Sequence, residues 1–186
     1  MSNNKNIYTK QNINEKIILK YSEVNNNIEE NIKNILKNKL ENKCTINGFV
    51  KKDSLKIIEI SCGELVSDSI MFNVAIECLI SCPYESMILE CKVESSTKVG
   101  LKCSIIDEDG NSPYLIFVAR DHNYSNSKFT STNVEDIIFV RVIGHRFELN
   151  DPFISVIGEL VEEDVKSSQT PKSSKKKKTL SINSEQ

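Results

Sequence analysis

Apolar residues recur with two different periods along the chain, and these periods predict its elements. Apolar and polar residues alternate from Ile13 to Tyr21, which predicts a strand. Steps of three and four residues then predict a helix over 26–42, which asparagines at its start would cap. From Cys44 the period returns to two and predicts strands over 45–50, 56–61 and 70–82. The last of these is the most regular, and it places on one face Ile70, Phe72, Val74, Ile76, Cys78, Ile80 and Cys82.

Pro83 ends this alternation and marks a predicted domain boundary, because proline cannot donate to a strand ladder. Five shorter strand signals follow, over 87–93, 101–105, 114–119, 137–143 and 153–161. Short antiparallel strands of this number, with the longest insert between the third and fourth, favour a small closed barrel, most often an OB-fold. The sequence therefore predicts an α+β protein. A flexible segment over 1–12 precedes a strand–helix–three-strand domain over 13–83, and an OB-fold β-barrel occupies 84–164.

The charge distribution supports this division. Formal charge is +1 over residues 1–83, -8 over 84–164 and +5 over 165–186. The last segment holds almost no apolar residues and is predicted to be a disordered tail. Its lysine run, Lys175–Lys178, fits a nuclear import signal, a phosphate-binding arm or a solubilising tail, and the sequence leaves these open.

Composition narrows the classes of protein. No window approaches ~18 uncharged apolar residues, so no membrane span is expected. The N-terminus leads into no apolar region typical of a secretory signal, so an intracellular protein is expected. Usage is skewed to 24 Ile, 21 Lys and 20 Asn against 3 Arg, which is typical of an AT-rich protist, bacterium or large DNA virus.

The six cysteines are predicted to be reduced and mostly buried. They are too scattered for a zinc site, contain no Cys-x-x-Cys pair, and mostly fall on apolar positions of strands. We therefore expect neither a metal nor a cofactor.

Catalytic motifs are missing from the sequence. His122 and His145 are candidate bases, but no nucleophile or carboxylate cluster accompanies them. Asp107 and Asp109 resemble part of a calcium loop without its later glutamate. We expect no enzymatic activity.

Single-stranded nucleic acid is the natural ligand of a small OB barrel. The second and third barrel strands and their loops supply the candidate RNA-binding residues Lys98, Lys102, Tyr114, Arg120, His122, Tyr124, Lys128 and Phe129. Because the barrel segment carries a charge of -8, which repels phosphates, only weak contact with RNA is expected.

Several short motifs occur in a fixed order. They are Glu41-Asn-Lys-Cys-Thr-Ile-Asn-Gly48, Gly63-Glu-Leu-Val, Phe72-Asn-Val, Cys82-Pro, Leu89-Glu-Cys-Lys-Val and Lys98-Val-Gly. This order resembles the seventh-subunit stalk family of eukaryotic RNA polymerase II and its archaeal counterpart, over about residues 13–163. The stretch from Arg141 to Leu160 looks like the barrel end of versions from large DNA viruses.

The resemblance implies an N-terminal ribonucleoprotein-like domain and a C-terminal OB barrel that together form a non-catalytic polymerase stalk. Its partners would be polymerase core subunits near the clamp, a small helical subunit and nascent RNA. The docking tip would comprise Lys51, Lys52, Lys56, Gly63, Leu65 and Ser69.

This chain departs from the family at Tyr84-Glu-Ser86, where a glycine often follows the proline, and in its short tip and lysine-rich tail. A viral version would act in the viral factory, the virion or the host nucleus, and a cellular eukaryotic one in the nucleus. The alternative function is a free-standing OB-fold RNA-binding factor in translation or RNA decay.

Overall fold

The computed structural model describes residues 7–24, 27–105, 110–123, 129 and 131–161. Several predictions lie outside these residues. They concern the start of the flexible N-terminus, the first asparagines of the helix cap, the acidic loop at 107–109, Tyr124, Lys128 and the tail over 165–186.

The N-terminal half is a sheet built around one long strand, β6. Its elements are β1 (Thr9–Lys20), α1 (Ile28–Leu40), β2 (Cys44–Thr45), β3 (Gly48–Val50), β4 (Lys56–Ile60), β5 (Glu64–Val66) and β6 (Ser69–Ser81). β1 pairs with β6 along its whole length, from Thr9 opposite Ile80 to Lys20 opposite Ser69. The other edge of β6 is shared in turn by β5, β4 and β3, and β2 pairs with β3.

α1 covers one face of this sheet. Its apolar stripe, Ile32, Leu36 and Leu40, is buried in one cluster with Ile17 and Leu19 of β1 and with Phe72, Val74 and Ile76 of β6. The alternation expected in β6 is present, since Phe72, Val74, Ile76, Cys78 and Ile80 are all buried. We call the opposite side of the sheet, which is turned away from α1, the open face.

The C-terminal half is a closed five-stranded barrel. Its strands are β7 (Ile88–Ser96), β8 (Gly100–Ser104), β9 (Tyr114–Ala119), β10 (Ile137–Arg146) and β11 (Ile154–Val161), in the order β10–β11–β9–β8–β7, with β10 closing onto β7. β11 runs parallel to β9, and the other pairs are antiparallel. This arrangement is consistent with the expected OB-fold, and all five predicted strands are present.

The two halves share a core. Ile7, Cys44 and Phe49 from the N-terminal half belong to the same buried cluster as the barrel interior. Backbone hydrogen bonds also cross the joint: the Cys44 amide donates to the Asp151 carbonyl at 2.8 Å, and the Asn150 amide donates to the Cys44 carbonyl at 2.9 Å. The predicted boundary at Pro83 is therefore crossed by continuous packing.

Four of the six free cysteines are buried, and Cys62 and Cys82 are exposed. The expectation that Cys82 shares the buried face of Cys78 is wrong. β6 ends at Ser81, one residue before Cys82, and Ser81 is the side chain that turns into the joint, where it is fully buried.

Candidate functional site

The barrel strand β9 places its residues differently from the expectation for an RNA-binding face. Tyr114, Ile116 and Val118 alternate into the barrel and are fully buried. The Tyr114 hydroxyl lies 2.5 Å from Ser81 Oγ. Phe129 is also buried, with the Arg120 guanidinium 5.6 Å from its ring centroid. The prediction that Tyr114 and Phe129 offer rings to bases is therefore wrong, because both rings serve the interior.

Phe117 occupies the outward position instead. Its side chain is 36% exposed, and its ring lies over Gly100 of the neighbouring strand, where a Cβ would come within 2.8 Å of Phe117 Cζ. In register, Phe117 stands between Lys102 of β8 and Ile157 of β11. Sequence reasoning missed it, although the alternation of its apolar neighbours Ile116 and Val118 was the signal that places it outside.

Most basic side chains of the barrel already have acidic partners. Lys102 Nζ lies 2.9 Å from a Glu94 carboxylate oxygen, and this hydrogen bond holds the pKa of Glu94 below its usual range. The other pairs are Arg141–Glu159, Arg146–Glu148 and Lys92–Glu135. A nucleic-acid phosphate that approaches one of these lysines or arginines has to compete with its carboxylate partner.

Lys98 and Arg120 belong to neighbouring backbone segments at one end of the barrel. The Arg120 amide donates to the Val99 carbonyl at 3.0 Å, so the loop before β8 and the end of β9 lie together. His122 lies in the short 3-10 helix Arg120–Asn123 that follows. Of the predicted RNA-binding set, Lys98, Lys102 and Arg120 thus lie along the β8–β9 side of the barrel.

The predicted docking residues do not form one patch. The Lys51 amide donates to the Leu79 carbonyl, and Lys56 lies opposite Glu77, so these lysines flank the barrel end of β6. Leu65 lies opposite Ile70 at the other end of that strand. The separation along β6 is roughly 30 Å at ~3.3 Å per residue. A long strand thus separates residues that are close in sequence, and the docking role of the set stays a prediction. Gly63 and Ser69 belong to the end that holds Leu65.

The far end of the sheet exposes apolar side chains on both faces. We call Ile18, Tyr21, Leu65 and Val66 the sheet tip; their exposed fractions are 60%, 50%, 74% and 43%. Ile18 and Val66 lie in register with Met71 and Ser69 on the open face, and Leu65 shares the α1 side with Ile70. The Tyr21 hydroxyl lies 3.5 Å from the Ser67 carbonyl oxygen of the turn between β5 and β6.

His145, a candidate base, lies beside a thiol. Its Nε2 is 4.0 Å from Cys82 Sγ, and its ring stacks on Phe147 with centroids 6.1 Å apart. Partial burial raises the pKa of the Cys82 thiol, which is the opposite of what an activated nucleophile requires. This pair therefore gives no support to a catalytic role.

Comparison of the sequence with protein-family models and with curated proteins finds no match. Within the described residues, no helix is both long and apolar enough to cross a membrane.

Proposed function

We propose that the protein is a non-catalytic stalk subunit of a multisubunit DNA-directed RNA polymerase. The observation that carries the proposal is the combination of an exposed apolar sheet tip at one end and a closed barrel at the other, joined through one core. A stalk needs a docking end and a projecting end whose relative position is fixed. The co-linear motifs that resemble the polymerase family support the same assignment.

The sheet tip is the proposed docking end. Exposed apolar clusters on a folded protein mark interaction sites. Since this cluster lies on both faces of a thin sheet end, it is suited to enter a cleft between protein surfaces rather than to lie on a flat one. We interpret the β1–α1–β6 half as the ribonucleoprotein-like domain of the family. Polymerase core subunits near the clamp and a small helical subunit are its proposed partners.

The barrel is proposed to lie near the emerging transcript and to contact it weakly. One exposed aromatic, Phe117, can stack on a base, and such stacking contributes roughly 1–3 kcal/mol. The ion pairs of Lys102 and Arg141 reduce the attraction for phosphates. For the cellular setting, we propose an intracellular one, in a virus-infected cell if the gene is viral.

Affinity purification from cells that produce the full chain tests the proposal. Wild-type protein should bring down polymerase large subunits. The paired substitutions Ile18→Asp and Leu65→Asp should abolish this, because two charges at the tip would have to be buried on docking. Val134→Asp, at an exposed apolar position of the barrel half, is the matched control and should retain the polymerase. Retention by the tip variant, or absence of polymerase subunits from the wild-type sample, would overturn the assignment.

A free-standing RNA-binding factor is the second candidate, favoured by the exposed ring of Phe117. Such a factor has to bind RNA without the help of a protein partner. The ion-paired lysines and arginines of the barrel argue against this, because their carboxylate partners compete with RNA phosphates. A wild-type sample that contains RNA but no polymerase subunit would favour the second candidate.

A further inference from the structure

The outward side chains of β1 form an unusual row. On the open face, successive outward positions carry Lys10, Asn12, Asn14, Lys16, Ile18 and Lys20, and all six are exposed. We call these residues the β1 row. It contains no carboxylate, and from Lys10 to Lys20 it spans about 33 Å at ~3.3 Å per residue. The row is therefore a straight cationic and amide-rich stripe on a sheet surface.

Further lysines lie across β6 from this row. Lys10 lies in register with Leu79, and the Lys51 amide donates to the Leu79 carbonyl from the other side. Lys51 Nζ reaches back across the strand to within 5.2 Å of the Tyr8 ring centroid. Lys56 stands opposite Glu77. At the end nearest the barrel, lysines thus border the central strip of β6 on both sides, with Glu77 between them and Glu59 opposite Ala75 on the same face.

These lysines differ from the barrel bases in their partners. The described carboxylates form no ion pair with Lys16, Lys20 or Lys56, and Lys10 makes a 3.3 Å contact with Glu77 in which the lysine is 72% exposed. Exposed ion pairs of this kind contribute little and are easily exchanged. In the barrel, four basic side chains each lie within ion-pair distance of a carboxylate, in pairs that are also exposed, so the difference lies in the number of paired side chains rather than in the strength of each pair. Glu59, Glu64 and Glu77 also lie on the open face, on β4, β5 and β6, so it is the β1 row at the sheet edge, in which Lys10 makes the one ion pair with a described carboxylate, that offers lysines to a polyanion.

We propose that the open face binds the backbone of a single-stranded nucleic acid along the β1 row. A linear polyanion matches a linear row of lysines, and the Asn12 and Asn14 amides, which both donate and accept hydrogen bonds, stand between them where base edges would lie. Neutralising three phosphates on a single strand gives a log–log salt slope of about -2. Affinity should then fall about 20-fold between 50 and 200 mM salt. This inference rests on the proposed function only where it identifies the bound nucleic acid as nascent RNA.

Fluorescence anisotropy with a labelled single-stranded oligonucleotide tests the proposal on the full chain at several salt concentrations. The test variant carries Lys10→Gln, Lys16→Gln and Lys20→Gln. The matched control carries Lys33→Gln, Lys37→Gln and Lys43→Gln, which change net charge equally on the α1 side. We expect the test variant to lose affinity at least 10-fold at 50 mM salt and its slope to fall by about 2. The control should lose less than 3-fold.

Three outcomes would overturn the proposal: equal losses in both variants, which would mean that net charge alone matters; no binding by the wild type at 50 mM salt; or wild-type binding by the test variant. If polymerase co-purification is lost in the test variant while its RNA affinity is unchanged, the open face binds a protein and the proposal is wrong. Because RNA binding is measured without polymerase, its failure is distinguishable from failure of the stalk assignment.

Discussion

The joint between the two halves is predicted to depend on a short chain of buried hydroxyls. Ser81 Oγ lies 2.6 Å from the Ile7 carbonyl oxygen and 2.5 Å from the Tyr114 hydroxyl, and both Ser81 and Tyr114 are fully buried. A carbonyl oxygen only accepts, so Ser81 donates its single proton to Ile7. Tyr114 must then donate to Ser81. The order of donation, from Tyr114 through Ser81 to Ile7, makes the two hydroxyls unequal.

Removal of the Ser81 hydroxyl and removal of the Tyr114 hydroxyl should therefore lower the free energy of unfolding by different amounts. Tyr114→Phe deletes one hydrogen bond and strands only a spare lone pair on Ser81, which costs about 1 kcal/mol. Ser81→Ala strands both the Tyr114 hydroxyl and the Ile7 carbonyl, at ~1–3 kcal/mol each, so it should cost about 2–6 kcal/mol. The double variant leaves only the carbonyl unpaired, and should be more stable than Ser81→Ala alone.

Urea denaturation of the four proteins at neutral pH measures these free energies of unfolding. Tyr84→Phe is the matched control, because that tyrosine is exposed and its hydroxyl deletion should change stability by less than ~0.5 kcal/mol. Additive costs in the double variant, or a larger cost for Tyr114→Phe than for Ser81→Ala, would refute the direction of donation and the importance assigned to Ser81.

Three further predictions concern the thiols and one glycine. Cys62 and Cys82 should react rapidly with a thiol reagent in the native protein while the four buried cysteines stay slow; a third fast thiol would contradict the burial. Burial, with Asp151 as a lesser cause, raises the pKa of Cys44 to about 11 from an ordinary value of 9. Above about pH 9 this thiol ionises in the unfolded chain but stays protonated in the folded protein, so the free energy of unfolding should fall between about pH 9 and 11. The drop in the free energy of unfolding from pH 8 to pH 10.5 should be smaller for Cys44→Ala than for the wild type. Gly48, at φ +125°, has the Ser81 carbonyl oxygen 2.5 Å from where a Cβ would lie, so Gly48→Ala should lower the free energy of unfolding by more than ~1 kcal/mol. An unchanged urea midpoint for this variant would show that the joint adapts.

Local periodicity was sufficient to predict α1, β6 and the barrel strands, but the strand predicted over 45–50 is the hairpin of β2 and β3, and β5 was missed. Alternation in β6 and in the barrel strands, and the three–four spacing of Ile32 and Leu36, follow directly from burying one face of each element. The start of the first strand was predicted too late. β1 begins at Thr9 rather than at Ile13, because β6 is long enough to pair with the polar residues that precede Ile13, and the polar sequence alone does not show that pairing.

The site residues were harder to predict, for two physical reasons. Tyr114 and Phe117 differ by three positions, so they fall on opposite sides of a strand, and only attention to the neighbouring apolar residues separates them. The docking residues depend on which part of β6 each short strand meets. That register is set by long-range pairing between Lys56 and Glu77 or Leu65 and Ile70, which no local pattern specifies.

The shared core gives the two proposed contacts a mechanical relation. The sheet tip and the barrel lie at opposite ends of β6, and Phe49 of β3 pairs with Ser81 while it packs in the barrel core. A protein docked by its tip would therefore transmit its orientation to the barrel through β6, since the joint is packed and hydrogen-bonded rather than linked by a free segment. The β1 row runs along the same strand pair from the tip to the joint. A nucleic-acid strand bound there would run from the sheet tip towards the barrel. The β1–β6 strand pair would then determine both where the polymerase docks and which way the nucleic acid runs.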